Sequence, residues 1–269
     1  MNEIEIKEAS FHDNWAKSTD LAEICVDKSF ESIACPENKQ IIKWMKDLNG
    51  KKVLELGCGL GEASVYFAKM GAEVTSTDIS KEMVRKTESL AEFHGVKVRG
   101  IVVSANDLNN LDDDYYDFIY AGNLLHHVEI EKCLRNLYPK LKPGGVAFFW
   151  DPIAYNPIIN IYRMLATQVR TEDEHPLKKQ DFKTIQKIFN NVEFKYFWLS
   201  SLLVFVWYAL RGISPNKERY WKRIVEKDHE ISKFLSLSQK IDEFIFKKIP
   251  FSNLLAWNVV VKAEKVAWK

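Results

Sequence analysis

The chain has 269 residues, enough for one large domain or a domain with a sizeable insertion. Apolar residues at 46% and charged residues at 28% exclude a disordered chain, and 11 glycines with 8 prolines exclude a collagen-like or linker-like one. With 38 basic and 37 acidic side chains the formal charge is +1, so no overall field draws the chain to nucleic acid, and none is expected as a partner.

Residues 11–48 read as helical, with Ile41, Ile42, Trp44, Met45 and Leu48 on one stripe. The opening stretch, Met1 to Ser10, carries acids and no apolar core, so it does not read as a signal peptide. Strand and helix alternate from residue 52 onward. Lys52 to Leu56 is a short apolar run that stops at glycines, as a buried strand does. Ala63, Tyr66, Phe67 and Met70 then fall at helical spacing, and Gly71 follows as a C-cap. Ala72 to Asp78 is the next strand, and Ser80 caps a helix bearing Met83, Val84, Thr87 and Leu90. Further strands are expected at Val98–Val103, Tyr116–Ala121 and Val146–Trp150. The helix before the last of these carries Ile130, Cys133, Leu134, Leu137 and Leu141 and stops at Pro143-Gly144-Gly145. Two late strands, at Val192–Phe197 and Trp257–Ala263, flank a helical insert with ten basic and six acidic residues. Such alternation implies βαβ units and a parallel sheet.

The longest apolar run, Phe197 to Leu210, has 14 residues, short of the ~20 needed to span a bilayer. Cys25, Cys35, Cys58 and Cys133 fall at no metal-ligand spacing and form no disulfide framework. No metal is expected, and a reducing cytoplasm is the expected location.

Chemistry concentrates after the first strand. Glu55-Leu56-Gly57-Cys58-Gly59-Leu60-Gly61 joins a strand to a helix, and ligands of open α/β sheets bind at such carboxyl ends. Asp78 ends the second strand, 21 residues after Gly57, where a carboxylate accepts hydrogen bonds from two ribose hydroxyls. NAD and S-adenosylmethionine both fit those two features. The spacing separates them: a pyrophosphate site wants G-x-G-x-x-G, whereas here Glu62 stands where the third glycine would fall. A carboxylate there suits a cationic sulfonium better than a pyrophosphate.

On these residues the stretch resembles the class I S-adenosylmethionine-dependent methyltransferases, whose first motif is E/D-x-G-x-G-x-G. Tyr116-Asp117-Phe118-Ile119-Tyr120, Leu124 to Val128, and Leu141-Lys142-Pro143-Gly144-Gly145 extend the resemblance from about residue 50 to 151. It implies a Rossmann-like, doubly wound α/β fold: a seven-stranded, mostly parallel sheet whose last strand is antiparallel. It implies S-adenosyl-L-methionine as cofactor and S-adenosyl-L-homocysteine as product. Glu55, Gly57, Cys58, Gly59, Gly61, Asp78 and the adjacent Ile79 match cofactor positions. Ser104 and Ala105 are expected near the adenine, with Asp107 as the alternative contact, and Gly122 and Asn123 near the methionyl end. The expected organisation is an N-terminal helical segment over residues 1–49, a core over 50–197, an insert covering the acceptor over 198–256, and the final strand over 257–269.

Methyl transfer from a sulfonium needs alignment and exclusion of water, and a base only when the acceptor must lose a proton. His126 and His127 follow the fourth strand on the ligand side and are candidates for that base; the competing reading has His127 capping or packing its helix. Asp151, at the end of the fifth strand, either orients the acceptor or caps a turn. Arg170 and His175 either contact the acceptor or lie in a solvated loop. The insert is rich in aromatics, among them Trp198, Phe205, Trp207, Tyr208 and Trp221, which suits a hydrophobic acceptor or else a second small core or dimer face. Lys217, Arg219, Lys222 and Arg223 beside those rings suit contact with an anionic membrane surface and a lipid-linked acceptor. The expected activity is methylation of a small or lipid-linked molecule at oxygen. The alternatives are an N- or C-methyltransferase of a quinone-like compound, an NAD-dependent oxidoreductase, and a non-catalytic cofactor-binding module.

Overall fold

The computed structural model describes residues 3–166, 175–216 and 220–266. Seven strands form one sheet in the order β3-β2-β1-β4-β5-β7-β6. They are β1 (Lys52–Leu56), β2 (Glu73–Asp78), β3 (Val98–Val102), β4 (Tyr116–Gly122), β5 (Leu141–Pro152), β6 (Asn191–Phe197) and β7 (Asn258–Glu264). β1 to β5 run parallel, while β7 lies antiparallel between β5 and β6. The parallel strands are those expected from the alternation, and the antiparallel last strand is the one the resemblance implies. Val53, Leu54 and Leu56 of β1 and Val259, Val260 and Val261 of β7 are all fully buried. Consecutive buried residues point to both sheet faces, so both must be covered by helices.

Eleven α-helices lie among the described residues: α1 (Glu3–Ser18), α2 (Lys28–Glu31), α3 (Pro36–Met45), α4 (Glu62–Lys69), α5 (Lys81–Phe93), α6 (Ile130–Leu137), α7 (Pro157–Leu165), α8 (Lys179–Ile188), α9 (Leu203–Leu210), α10 (Tyr220–Glu226) and α11 (Asp228–Lys248). One face is packed by α3, α4 and α5 through Ile41, Val65, Phe67, Met83 and Leu90. The other is packed by α6 and α8 through Cys133, Leu134, Leu137 and Ile185. A third core, within the insert, buries Trp198, Leu202, Phe205, Tyr208, Tyr220 and Leu235. Part of the aromatic excess therefore packs on itself.

The helical stretch 11–48 divides into several pieces: α1 ends at Ser18, Asp20 caps a single 3-10 turn, and Pro36 starts α3 at its first position, where its missing N–H costs nothing. One expectation changes. β5 begins at Leu141, so Pro143-Gly144-Gly145 lies inside the strand as an irregularity. The Gly144 N–H bonds to the Lys265 carbonyl at 2.8 Å, and the Lys265 N–H to that of Gly145 at 2.9 Å. Backbone pairing across the end of β7 thus draws an apparent turn into the strand, with Gly144 at φ +78°. No helix among the described residues is long and apolar enough to cross a membrane.

Candidate active site

The strand order reverses between β1 and β4, and a cavity of about 530 Å³ opens over the carboxyl ends there. β1 runs into Gly57 (φ +69°) and Gly59 (φ +53°), left-handed positions that only glycine adopts without strain. A Cβ at Gly59 would meet no protein atom within 4 Å, and the residue lines the cavity. Asp78 anchors this loop. Its Oδ2 accepts the Gly59 N–H at 3.0 Å and its Oδ1 the Ser80 N–H at 2.9 Å. Burial pushes the Asp78 carboxyl up, and those two N–H groups pull it back down. At the end of β1, Glu55 accepts from the Ser64 hydroxyl, and burial raises its carboxyl to about 8.

Twelve of the fifteen residues singled out by the sequence line this one cavity: Glu55, Gly57, Cys58, Gly59, Asp78, Ile79, Ser104, Ala105, Gly122, Asn123, His126 and His127. Three do not. Gly61 starts α4 with φ +95°, and a Cβ there would lie 2.8 Å from Thr87 Cα, so its glycine serves helix packing. Asp107 is exposed and accepts from the Asn109 amide at 2.7 Å. Asp151 is fully buried behind His126.

That last contact organises the polar centre. Asp151 Oδ1 lies 2.7 Å from His126 Nδ1 and 3.2 Å from the His126 backbone N–H. The carboxylate therefore fixes the imidazole from behind, and His126 lines the cavity. Burial pushes the Asp151 carboxyl upward. His127 stacks near His126 with centroids 4.1 Å apart, and its Nδ1 lies 3.6 Å from Glu8 Oε1. His175 is exposed and is not among the lining residues; its backbone N–H bonds to the His126 carbonyl at 2.8 Å. Arg170, Lys217 and Arg219 lie outside the described residues.

Other lining residues carry no motif. Glu5, Glu8, His12 and Trp15 reach the cavity from α1, and Glu5 accepts from the Ser104 hydroxyl at 2.7 Å. Their 3, 4, 3 spacing puts them on one helix face, a signal available in the sequence. Asn38, on α3, accepts from the Tyr120 hydroxyl at 2.8 Å, which in turn accepts from the Trp150 indole at 2.9 Å. Glu37, also on α3, is joined by Ile159, Tyr162, Trp198, Trp221 and Trp257 at the insert end of the cavity. Among the described residues no group of three or more His, Cys, Asp or Glu could hold a metal ion.

Residues 54–149 match the family model described as a methyltransferase domain. The ubiquinone biosynthesis O-methyltransferase of Pseudomonas savastanoi pv. phaseolicola is 30% identical over 135 residues, covering 47% of this chain and 56% of that protein. The enzyme of the same name from Coxiella burnetii is 32% identical over 117 residues, covering 42% and 49%. The chain thus spans about half the length of the curated relatives it matches. Among solved structures, phosphoethanolamine N-methyltransferase 2 of Haemonchus contortus, in complex with S-adenosyl-L-methionine, superposes with a TM-score of 0.55 at 15% identity, over 87% of this chain and 52% of that one. At that identity the likeness is one of fold.

Proposed function

We propose that the chain, whose residues 54–149 match a methyltransferase domain, is a class I S-adenosylmethionine-dependent methyltransferase and that it methylates a small, hydrophobic acceptor at oxygen. The observation that carries the reading is the Asp78 anchor on a glycine loop whose open side is the cavity. A carboxylate oxygen has a second lone pair after accepting one backbone N–H, so Asp78 retains the capacity to take both hydroxyls of a ribose. Gly59 leaves its backbone bare for close approach. Ser104 and Ala105 fit the adenine edge, and Gly57, Gly122 and Asn123 the methionyl end. Glu55 supplies a carboxyl beside that end, favourable to a ligand bearing an ammonium group.

When bound, S-adenosylmethionine supplies a methyl group on a cationic sulfur. The chain's own part is to bind, align and keep water out. His126, fixed by Asp151, takes the acceptor's hydroxyl proton. His127 and α1 close the cofactor end, and the aromatic residues of the insert wall the acceptor end. The names of the curated relatives support oxygen as the acceptor atom. Calorimetry with S-adenosylhomocysteine tests the premise: saturable uptake by the purified chain is expected, and no uptake overturns it.

A lipid-linked acceptor reached from a membrane surface is a second reading, favoured by one observation. Ile161, Met164 and Leu165 on α7, and Leu203, Val206, Trp207 and Leu210 on α9, all face solvent, Met164 at 77% and Leu210 at 82% exposure. Arg211 stacks over Trp207 at 4.3 Å, adding a cation beside them. Exposed aliphatic residues with Trp and Arg suit an anionic bilayer. Salt-sensitive co-sedimentation with phosphatidylserine vesicles is expected, and its absence removes this reading.

A further inference from the structure

Among the carboxyls that line the cavity, the cofactor reading leaves Glu37 unused. Glu37 lies in the first turn of α3, outside the matched domain, and is buried. An acid in a first helical turn complements the helix dipole equally well at the surface. Here the side chain is instead drawn into the cavity wall. Its Oε1 accepts from Asn258 Nδ2 at 2.7 Å, and the Trp198 side chain and its own backbone N–H bond to the same carboxyl. A carboxylate offers about four acceptor positions, so about one is left over. Burial raises this carboxyl to about 7.

Its place in the fold separates it from the nucleoside end. Asn258, which holds it, pairs with Pro152 at the end of β5 and with Phe197 at the end of β6. Asp78 ends β2, and β1, β4 and β5 lie between β2 and β7, the strand of Asn258. Four strand spacings make roughly 19 Å, longer than a hydrogen-bonding reach and suited to two ligands side by side. Around Glu37 the wall is apolar. Trp198 and Trp257 meet edge to face at 5.7 Å, with Ile159 and Ile224 beside them. A lone buried acceptor in such a wall rewards a ligand with an apolar body and a single donor, because an unmatched buried polar group costs free energy.

We propose that Glu37 is the acceptor-binding carboxyl of this site, receiving the hydrogen of a phenolic hydroxyl other than the one His126 deprotonates, with the ring resting among Trp198 and Trp257. The assignment rests on the methyltransferase reading for its meaning, and it can be measured apart from it. The probes are para-octylphenol and its methyl ether, which share an apolar body and differ in the hydroxyl donor. Their affinities are compared by calorimetry on the full chain, with and without S-adenosylhomocysteine. The unmodified chain is expected to prefer the phenol by roughly tenfold or more, the usual worth of a hydrogen bond to a charged group. Glu37→Ala should erase that preference. Glu37→Gln, which keeps the shape and the fold, should reduce it severalfold. Equal binding of the two probes by the unmodified chain overturns the proposal, as does an undiminished preference in Glu37→Gln. A Glu37-dependent preference in a chain that takes up no S-adenosylhomocysteine would uphold the subsite and remove the methyl transfer.

Discussion

Asp78 serves the loop and the ligand with one carboxylate, so its removal should register twice. Asp78→Ala is expected to weaken S-adenosylhomocysteine binding by roughly 2–4 kcal/mol, since two charge-assisted bonds go. It should also lower the melting temperature, because the Gly59 and Ser80 N–H groups lose their acceptor. Near-normal affinity by calorimetry would refute the ribose role. Gly59→Val should abolish binding while leaving most of the core intact, since a β-branched residue cannot hold φ near +53° without strain in a loop that lines the cavity. For the His126–Asp151 pair the expectation is a split between kinetics and affinity. His126→Ala should cut S-adenosylhomocysteine release during turnover by about 10²–10⁴-fold, the usual worth of a general base, and leave cofactor affinity unchanged. Equal loss of both would make the residue structural.

Among the elements, α11 matters for a reason unrelated to its length. Buried Asp242 accepts the backbone N–H groups of Leu199 and Ser200 at 3.0 and 2.7 Å and the Ser201 hydroxyl at 2.8 Å. It thereby fastens the chain where β6 gives way to α9, next to Trp198 in the cavity wall. Asp242→Ala strands several buried donors and should cost about 3 kcal/mol or more in a denaturant titration. An unaltered midpoint would show that α9 does not depend on this tie. α1 closes the opposite end, where Glu5 meets Ser104 and Ser80 donates to Asp13 at 2.5 Å while capping α5. The same serine caps a helix and seats a neighbouring one.

For the molecule as a whole, burial of carboxyls sets how stability depends on pH. Glu37 and Glu55 rise from an ordinary 4.5 to about 7 and about 8. The folded chain therefore binds these protons more tightly than the unfolded chain does. Stability from this source is complete below about 4.5 and drains away as pH climbs through 7 to 8. The melting temperature of the ligand-free chain should fall from pH 5 to pH 8.5 on this account. Replacing both residues by Gln should flatten the fall. An unflattened profile would mean the two carboxyls ionise freely in the fold.

What the sequence determined by itself is whatever depends on near neighbours. The strand–helix alternation, the glycine loop after β1 and the acid ending β2 each follow from a few consecutive residues, because backbone sterics and hydrophobic period act locally. The seven-stranded sheet with its antiparallel last strand came through the family resemblance, and the order of the strands only through the structure. Only the tertiary structure decided that Asp151 stands behind His126, that Gly61 packs on Thr87, and that Asp107 points away. It alone drew α1 and Glu37 into the cavity. Glu37 and Asn258 are 221 residues apart, and such a contact leaves no periodicity or spacing to read. It arises because two buried polar groups must satisfy each other once the sheet has brought their elements together.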